Sequence, residues 1–117
     1  MAPLLFGLFA VGATSAFAQS GATGLITLEN VVCPTSYSYE GSFDAYWEVN
    51  DTAANNVGVF VWTVTTGYVL FASGRDSEAS GDWLTYDTYY AFELLSELDA
   101  NYDYSSGYYL WQADQQC

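Results

Sequence analysis

Apolar and polar residues alternate along much of this chain in short blocks, separated by clusters of turn-forming residues. Residues 24–32 (GLITLENVV) are aliphatic and β-branched and predict a strand. Residues 34–42, rich in Ser, Tyr and Gly, predict a loop. In residues 43–49 the alternation places Phe43, Ala45, Trp47 and Val49 on one face. After a turn cluster at 51–56, residues 57–65 (VGVFVWTVT) predict a strand, with Val57, Val59, Val61 and Thr63 on one side and Phe60, Trp62 and Val64 on the other. Thr66-Gly67 then turns the chain into residues 68–72, completing a hairpin. The polar, Gly-bounded stretch 73–82 predicts an exposed loop. Alternation resumes over 83–94, with Leu84, Tyr86, Tyr90, Phe92 and Leu94 on one face. Ala91, Leu94, Leu95 and Leu98 also fit helical spacing, which predicts a short helical turn near 93–98. Residues 104–112 predict a closing strand. About six short strands at fairly regular spacing, in a chain long enough for one domain, predict an all-β antiparallel sandwich.

The start of the chain has a different character. Residues 3–17 form an uncharged apolar run ending in Ala16-Phe17-Ala18, the pattern of a signal peptide with its cleavage site. Residues 1–18 are therefore expected to be either a cleaved signal peptide or a retained hydrophobic segment, and residues 19–117 the domain. No Lys or Arg precedes the run, a departure from the usual signal pattern. Secretion changes the reading of the two cysteines, Cys33 and Cys117. Joined to each other they would close a long loop, worth about 4–5 kcal/mol through the entropy of the unfolded chain. The rival is a bond between two chains. Asn50-Asp51-Thr52 is an N-glycosylation sequon, with Asn50 as acceptor.

Charge narrows the partners. One Lys+Arg against 14 Asp+Glu gives −13 at pH 7. A chain whose only arginine is Arg75 cannot neutralise several phosphates, so nucleic acid and anionic membrane surfaces are excluded as partners. The absence of His removes imidazole bases, Ser-His-Asp triads and His metal sites. The close carboxylate pairs are Asp44/Glu48 and Glu93/Glu97. On a strand, positions i and i+4 lie about 13 Å apart, too far for a glycosidase pair. The expectation is a protein that is not an enzyme.

Residues 95–104 (LSELDANYDY) resemble the tyrosine-corner segment of fibronectin type III and related immunoglobulin-like domains. By that resemblance Leu95 and Leu98 match the paired leucines, Asn101 the turn residue and Tyr104 the corner tyrosine, with Ala100 where the family usually has proline. Trp47 falls where the family keeps a core tryptophan. The resemblance implies an immunoglobulin-like β-sandwich. The cysteine pair differs from the inter-sheet pair of antibody domains. Only five residues follow Gln112, which implies that the family's last strand is missing and the penultimate strand is an open edge. A retained N-terminal segment or a partner's strand would then cover it.

Two sets of residues could carry binding. Asp99, Asn101 and Asp103 have the alternating oxygen-ligand spacing that opens many calcium loops, although Tyr104 and Leu110 stand where the Gly and Glu of such a loop belong. The competing reading is a solvated acidic turn. Aromatic residues make up 19% of the chain, more than one small core can hold, so several must reach the surface. Tyr46, Trp62, Tyr89, Tyr109 and Trp111 are the candidates for a binding surface. Exposed Tyr and Trp suit protein contact, and beside carboxylates they also suit sugar stacking. The expectation is a secreted or cell-surface structural or adhesive module, joined to a protein partner or to itself as a subunit of an extracellular assembly. The alternative is a small carbohydrate-binding module. Apart from calcium, no cofactor is expected.

Overall fold

A computed structural model describes residues 22–50 and 54–117. The signal-like segment, its cleavage site and the last two residues of the sequon lie outside the described residues. Among the described residues seven strands follow one another: β1 (Gly24–Val32), β2 (Gly41–Val49), β3 (Gly58–Thr63), β4 (Gly67–Ser73), β5 (Ser77–Leu84), β6 (Tyr89–Ser96) and β7 (Tyr108–Gln116), with a 3-10 turn at Tyr104–Ser106. They form a three-stranded sheet in the order β1-β2-β5 and a four-stranded sheet in the order β4-β3-β6-β7. All pairings are antiparallel. The protein is the all-β sandwich that its alternating pattern predicts. No helix among the described residues is long and apolar enough to cross a membrane.

The core lies between the sheets. Ile26 from β1, Phe43, Ala45, Trp47 and Val49 from β2, Leu84 from β5, Val59 and Val61 from β3, and Tyr90, Phe92 and Leu94 from β6 are all buried there. Phe43 sits at the centre of an aromatic cluster, with the rings of Phe71, Trp83 and Phe92 centred 5.5, 5.1 and 5.1 Å away. The Trp47 indole N–H donates to the Gly74 carbonyl at 2.8 Å, so the buried ring keeps its polar atom satisfied. A disulfide joins Cys33, just after β1, to Cys117, just after β7, and so ties one sheet to the other. This is the intramolecular pairing of the two read from the sequence.

Several details differ from the sequence reading. Residues 77–82 belong to β5 instead of an exposed loop, which shrinks to residues 74–76. Their inward positions are Ala79 and Gly81, which carry no hydrophobic signal. Gly81 is required there because a Cβ would overlap the Phe43 ring. Residues 93–96 continue β6 as a strand and form no helical turn. Among the described residues the strand count is seven, and a strand follows β6 as β7, beginning at Tyr108 instead of Tyr104. The penultimate strand β6 is therefore flanked by β3 and β7 and is not an open edge.

Tyr104 does not start a strand, although the resemblance implies that it would. Tyr104 lies in the 3-10 turn between β6 and β7. It is Tyr90, buried near the start of β6, whose hydroxyl accepts a hydrogen bond from the Thr85 backbone N–H at 2.7 Å. That is the tyrosine-corner geometry, a ring packed inside and a hydroxyl returned to the backbone a few residues upstream. Leu95 and Leu98 serve elsewhere, on the outside of the four-stranded sheet.

Candidate functional site

The outward positions of the four-stranded sheet form rows that run across the strands. One row joins Tyr68, Trp62, Ala91 and Asp114, and the next joins Leu70, Phe60, Glu93 and Gln112. Past a bulge in β7, Leu95 stands opposite Tyr109. Trp62 also meets Tyr89 edge-on, with ring centroids 6.2 Å apart. The structure thus gathers Trp62, Tyr89 and Tyr109, three of the five aromatic residues expected at a binding surface, on one face. Tyr109 is 59% exposed and Tyr89 is 38% exposed. Trp111 is exposed on the edge strand β7, beside the bulge. Tyr46 points away from the core on the opposite side of the sandwich, between Thr27 and Glu78.

The connection from β6 to β7 folds over part of this face. Leu98, Tyr102 and Tyr104 pack with Phe60, Leu95 and Tyr68 into a second, smaller apolar cluster. Gly107 allows the approach, since a Cβ there would come within 2.6 Å of Leu98 and 2.8 Å of Leu95. The loop is pinned by the Glu97 N–H to the Asn55 carbonyl at 2.8 Å and by the Asn56 amide to the Leu98 carbonyl at 2.9 Å. The Glu97 carboxylate accepts from the Asn55 N–H at 3.0 Å.

Under the loop sits a carboxylate that alternation alone does not single out. Glu93 is 2% exposed. Its two oxygens accept from the Tyr68 hydroxyl at 2.7 Å and the Tyr104 hydroxyl at 2.6 Å. The two tyrosine rings are stacked, with centroids 3.7 Å apart and planes 9° from parallel. Burial, then the bond to Glu93, pushes the Tyr104 hydroxyl far above the usual phenol range. Burial is also the main cause of the upward shift at Tyr68, Tyr89 and Tyr109, with Glu93 adding to it at Tyr68 and Tyr109 and Asp114 adding to it at Tyr89 and Tyr109. The sequence offered one signal for this cluster: Glu93 is the single charge within the apolar run of β6.

The outer face of the three-stranded sheet is different in kind. Glu29, Asp44, Glu48, Glu78 and Asp82 are distributed over it, with Tyr46 near its middle. Hydrogen bonds from Ser80 at 2.5 Å and from the Asn30 amide at 2.8 Å hold the Asp44 carboxyl below its usual range. A shallow depression of about 430 Å³ there is lined by Leu25, Thr27, Tyr46, Glu48 and Glu78.

The remaining candidates are separated from both faces. Asp99 Oδ1 accepts from the backbone N–H groups of Asn101 and Asp103 at 3.1 and 3.0 Å, closing a turn on itself. No group of three or more His, Cys, Asp or Glu side chains converges as a metal site among the described residues. Asn50 pairs with Thr23 through both its backbone and its side chain. Of the close carboxylate pairs, Glu93 binds the two tyrosines while Glu97 binds Asn55, and Asp44 binds Ser80 and Asn30. Compared with protein-family models, with curated proteins and with solved structures, the chain has no match in any of the three, so the chemistry of its two faces has to be read from the faces themselves.

Proposed function

We propose that this protein is a non-catalytic, secreted or cell-surface interaction module that binds through the outer face of its four-stranded sheet. The observation that carries the reading is the convergence of Trp62, Tyr89 and Tyr109 around the Tyr68–Glu93–Tyr104 cluster. Rigid aromatic rings on a sheet offer a large contact area at little cost in side-chain entropy, and Tyr and Trp dominate the energetics of many interfaces. The loop pinned over one end of the face holds Tyr68 and Tyr104 in place before a partner arrives, which lowers the cost of binding there. The disulfide and the signal-like start of the chain support an oxidising, extracytoplasmic setting. The strand order and the corner at Tyr90 favour a fibronectin type III or immunoglobulin-like ancestry.

The second reading is a carbohydrate-binding module. It is favoured by Gln112 and Asp114 beside the exposed rings, polar groups suited to sugar hydroxyls. One experiment tests both. Labelled protein and its Tyr109→Ala and Trp62→Ala variants are applied to extracellular surface material from the source organism. The module reading expects saturable binding that falls about tenfold or more in the variants. Binding that survives protease treatment of the surface but not periodate oxidation would transfer the assignment to sugars. Equal binding by all three proteins, or none by any, would remove the face from consideration.

A further inference from the structure

The sandwich has four lateral edges among its described strands, and they are protected unequally. On one flank β1 lies against β7 and the disulfide crosses between them. β1 is interrupted by a bulge between Glu29 and Val32, where Asn30 has a φ of 53°. β7 is bulged opposite Leu94 and Leu95 and carries Asp114. On the other flank β5 carries Glu78 and Asp82. Bulges, charges and covering segments of this kind are the usual means of keeping a sheet edge from pairing with another chain.

β4 differs. Its sequence, GYVLFAS, has no charge and no proline. Gly67 to Leu70 run in regular register against β3, and the bulge comes only after Leu70. Among the described strands β3 is its single neighbour. Val69 is 47% exposed and Leu70 43% exposed. The whole run of residues 57–74, which contains this hairpin, lacks Asp, Glu, Lys and Arg.

We infer that β4 is the contact strand of a dimer of this chain, in which two copies pair antiparallel across a two-fold axis and their four-stranded sheets become continuous. Self-complementarity of the strand selects a second copy as the occupant, and charge decides where two copies can meet. Each copy carries −13, so two copies repel over most of their surface and meet with least repulsion along an uncharged strand. A cationic partner would gain nothing at β4 and would be drawn to the carboxylates of the other sheet. The geometry is self-complementary, as a two-fold contact requires. Pairing centred on Val69 keeps the inner and outer faces matched. It sets Tyr68 of one copy against Leu70 of the other on the outer face, and Val69 against Val69 on the inner one. This inference deepens the reading of the protein as an assembly subunit but does not depend on the aromatic face.

Sedimentation velocity of the full chain over a concentration series, at low and moderate salt, tests it. The expected result is a monomer–dimer equilibrium that shifts toward dimer as salt screens the like charges. Val69→Lys places two like charges opposite each other and is expected to weaken the dimer about 100-fold or more. Thr27→Lys adds the same charge on the other sheet and is expected to leave the dimer at least as strong. In the unmodified protein, hydrogen exchange at the amides of residues 67–70 is expected to slow as concentration rises. A monomer under every condition, a dimer indifferent to Val69→Lys, or amide protection independent of concentration would each overturn the proposal. Tyr109→Ala should reduce surface binding and leave the dimer intact, so the two readings fail separately.

Discussion

The two outer faces of this sandwich are made by the same alternation of strand residues and end with opposite chemistry. On the three-stranded sheet the outward positions are mostly carboxylates and hydroxyls that face water, with Asp44 bonded to its neighbours Ser80 and Asn30. On the four-stranded sheet the outward positions of β3 and β6 are Phe60, Trp62, Ala91, Glu93 and Leu95. There a loop adds a second apolar layer and buries Glu93 under two tyrosines. A carboxylate's role is set by what covers it. Of the carboxylates on these two faces, Glu93 shapes the fold, while those on the acidic face mainly set the field around the molecule.

Glu93 is the position at which substitution should cost the most. Glu93→Ala removes the acceptor of two tyrosine hydroxyls and leaves a void beneath the loop. A loss of about 2–4 kcal/mol is expected by chemical denaturation. Tyr104→Phe removes one of the two donors and keeps the stacked ring, so about 1–2 kcal/mol should be lost at neutral pH.

Alkaline titration sharpens the contrast further. Tyr104 has a raised pKa in the folded protein, so above about pH 10 the unfolded chain loses this proton while the folded chain retains it. The unfolded state then binds fewer protons, and stability must fall as pH rises past that point. The slope of stability against pH should be shallower in Tyr104→Phe, as followed by circular dichroism. The smallest effect belongs to the acidic face. Glu48→Gln and Glu78→Gln should raise the melting temperature slightly at low salt by relieving like-charge repulsion, and the gain should vanish as salt is added.

Much of the core was legible from periodicity. Phe43, Ala45, Trp47 and Val49 alternate strictly with polar residues, and all four are buried. The division of β3 into Val59 and Val61 on one face and Phe60 and Trp62 on the other was legible from spacing, but which face is inward was not, because both are apolar. β5 was not, because its inward residues Ala79 and Gly81 are too small to register as hydrophobic. Tyr104 stood out in the sequence because it follows Leu95 and Leu98, and only packing distinguishes Tyr90 in the core from Tyr104 over the outer cluster. Of the aromatic surface residues, Trp62, Tyr89 and Tyr109 share a face and Tyr46 does not. Strand alternation states that a residue points outward, but not from which of two sheets.

The all-β class, one inward face, the acidic character and a pair of cysteines follow directly from the sequence, since each depends on residue type or on spacing within a single segment. The assignment of strands to sheets, the completion of the four-stranded sheet by β7 and the layer over Phe60 depend on contacts between segments far apart in the chain. The meeting of Glu93 with Tyr68, 25 residues earlier in the chain, and with Tyr104 belongs with these. Local pattern carries no register between distant strands, and it was register that set a buried carboxylate beneath two stacked rings.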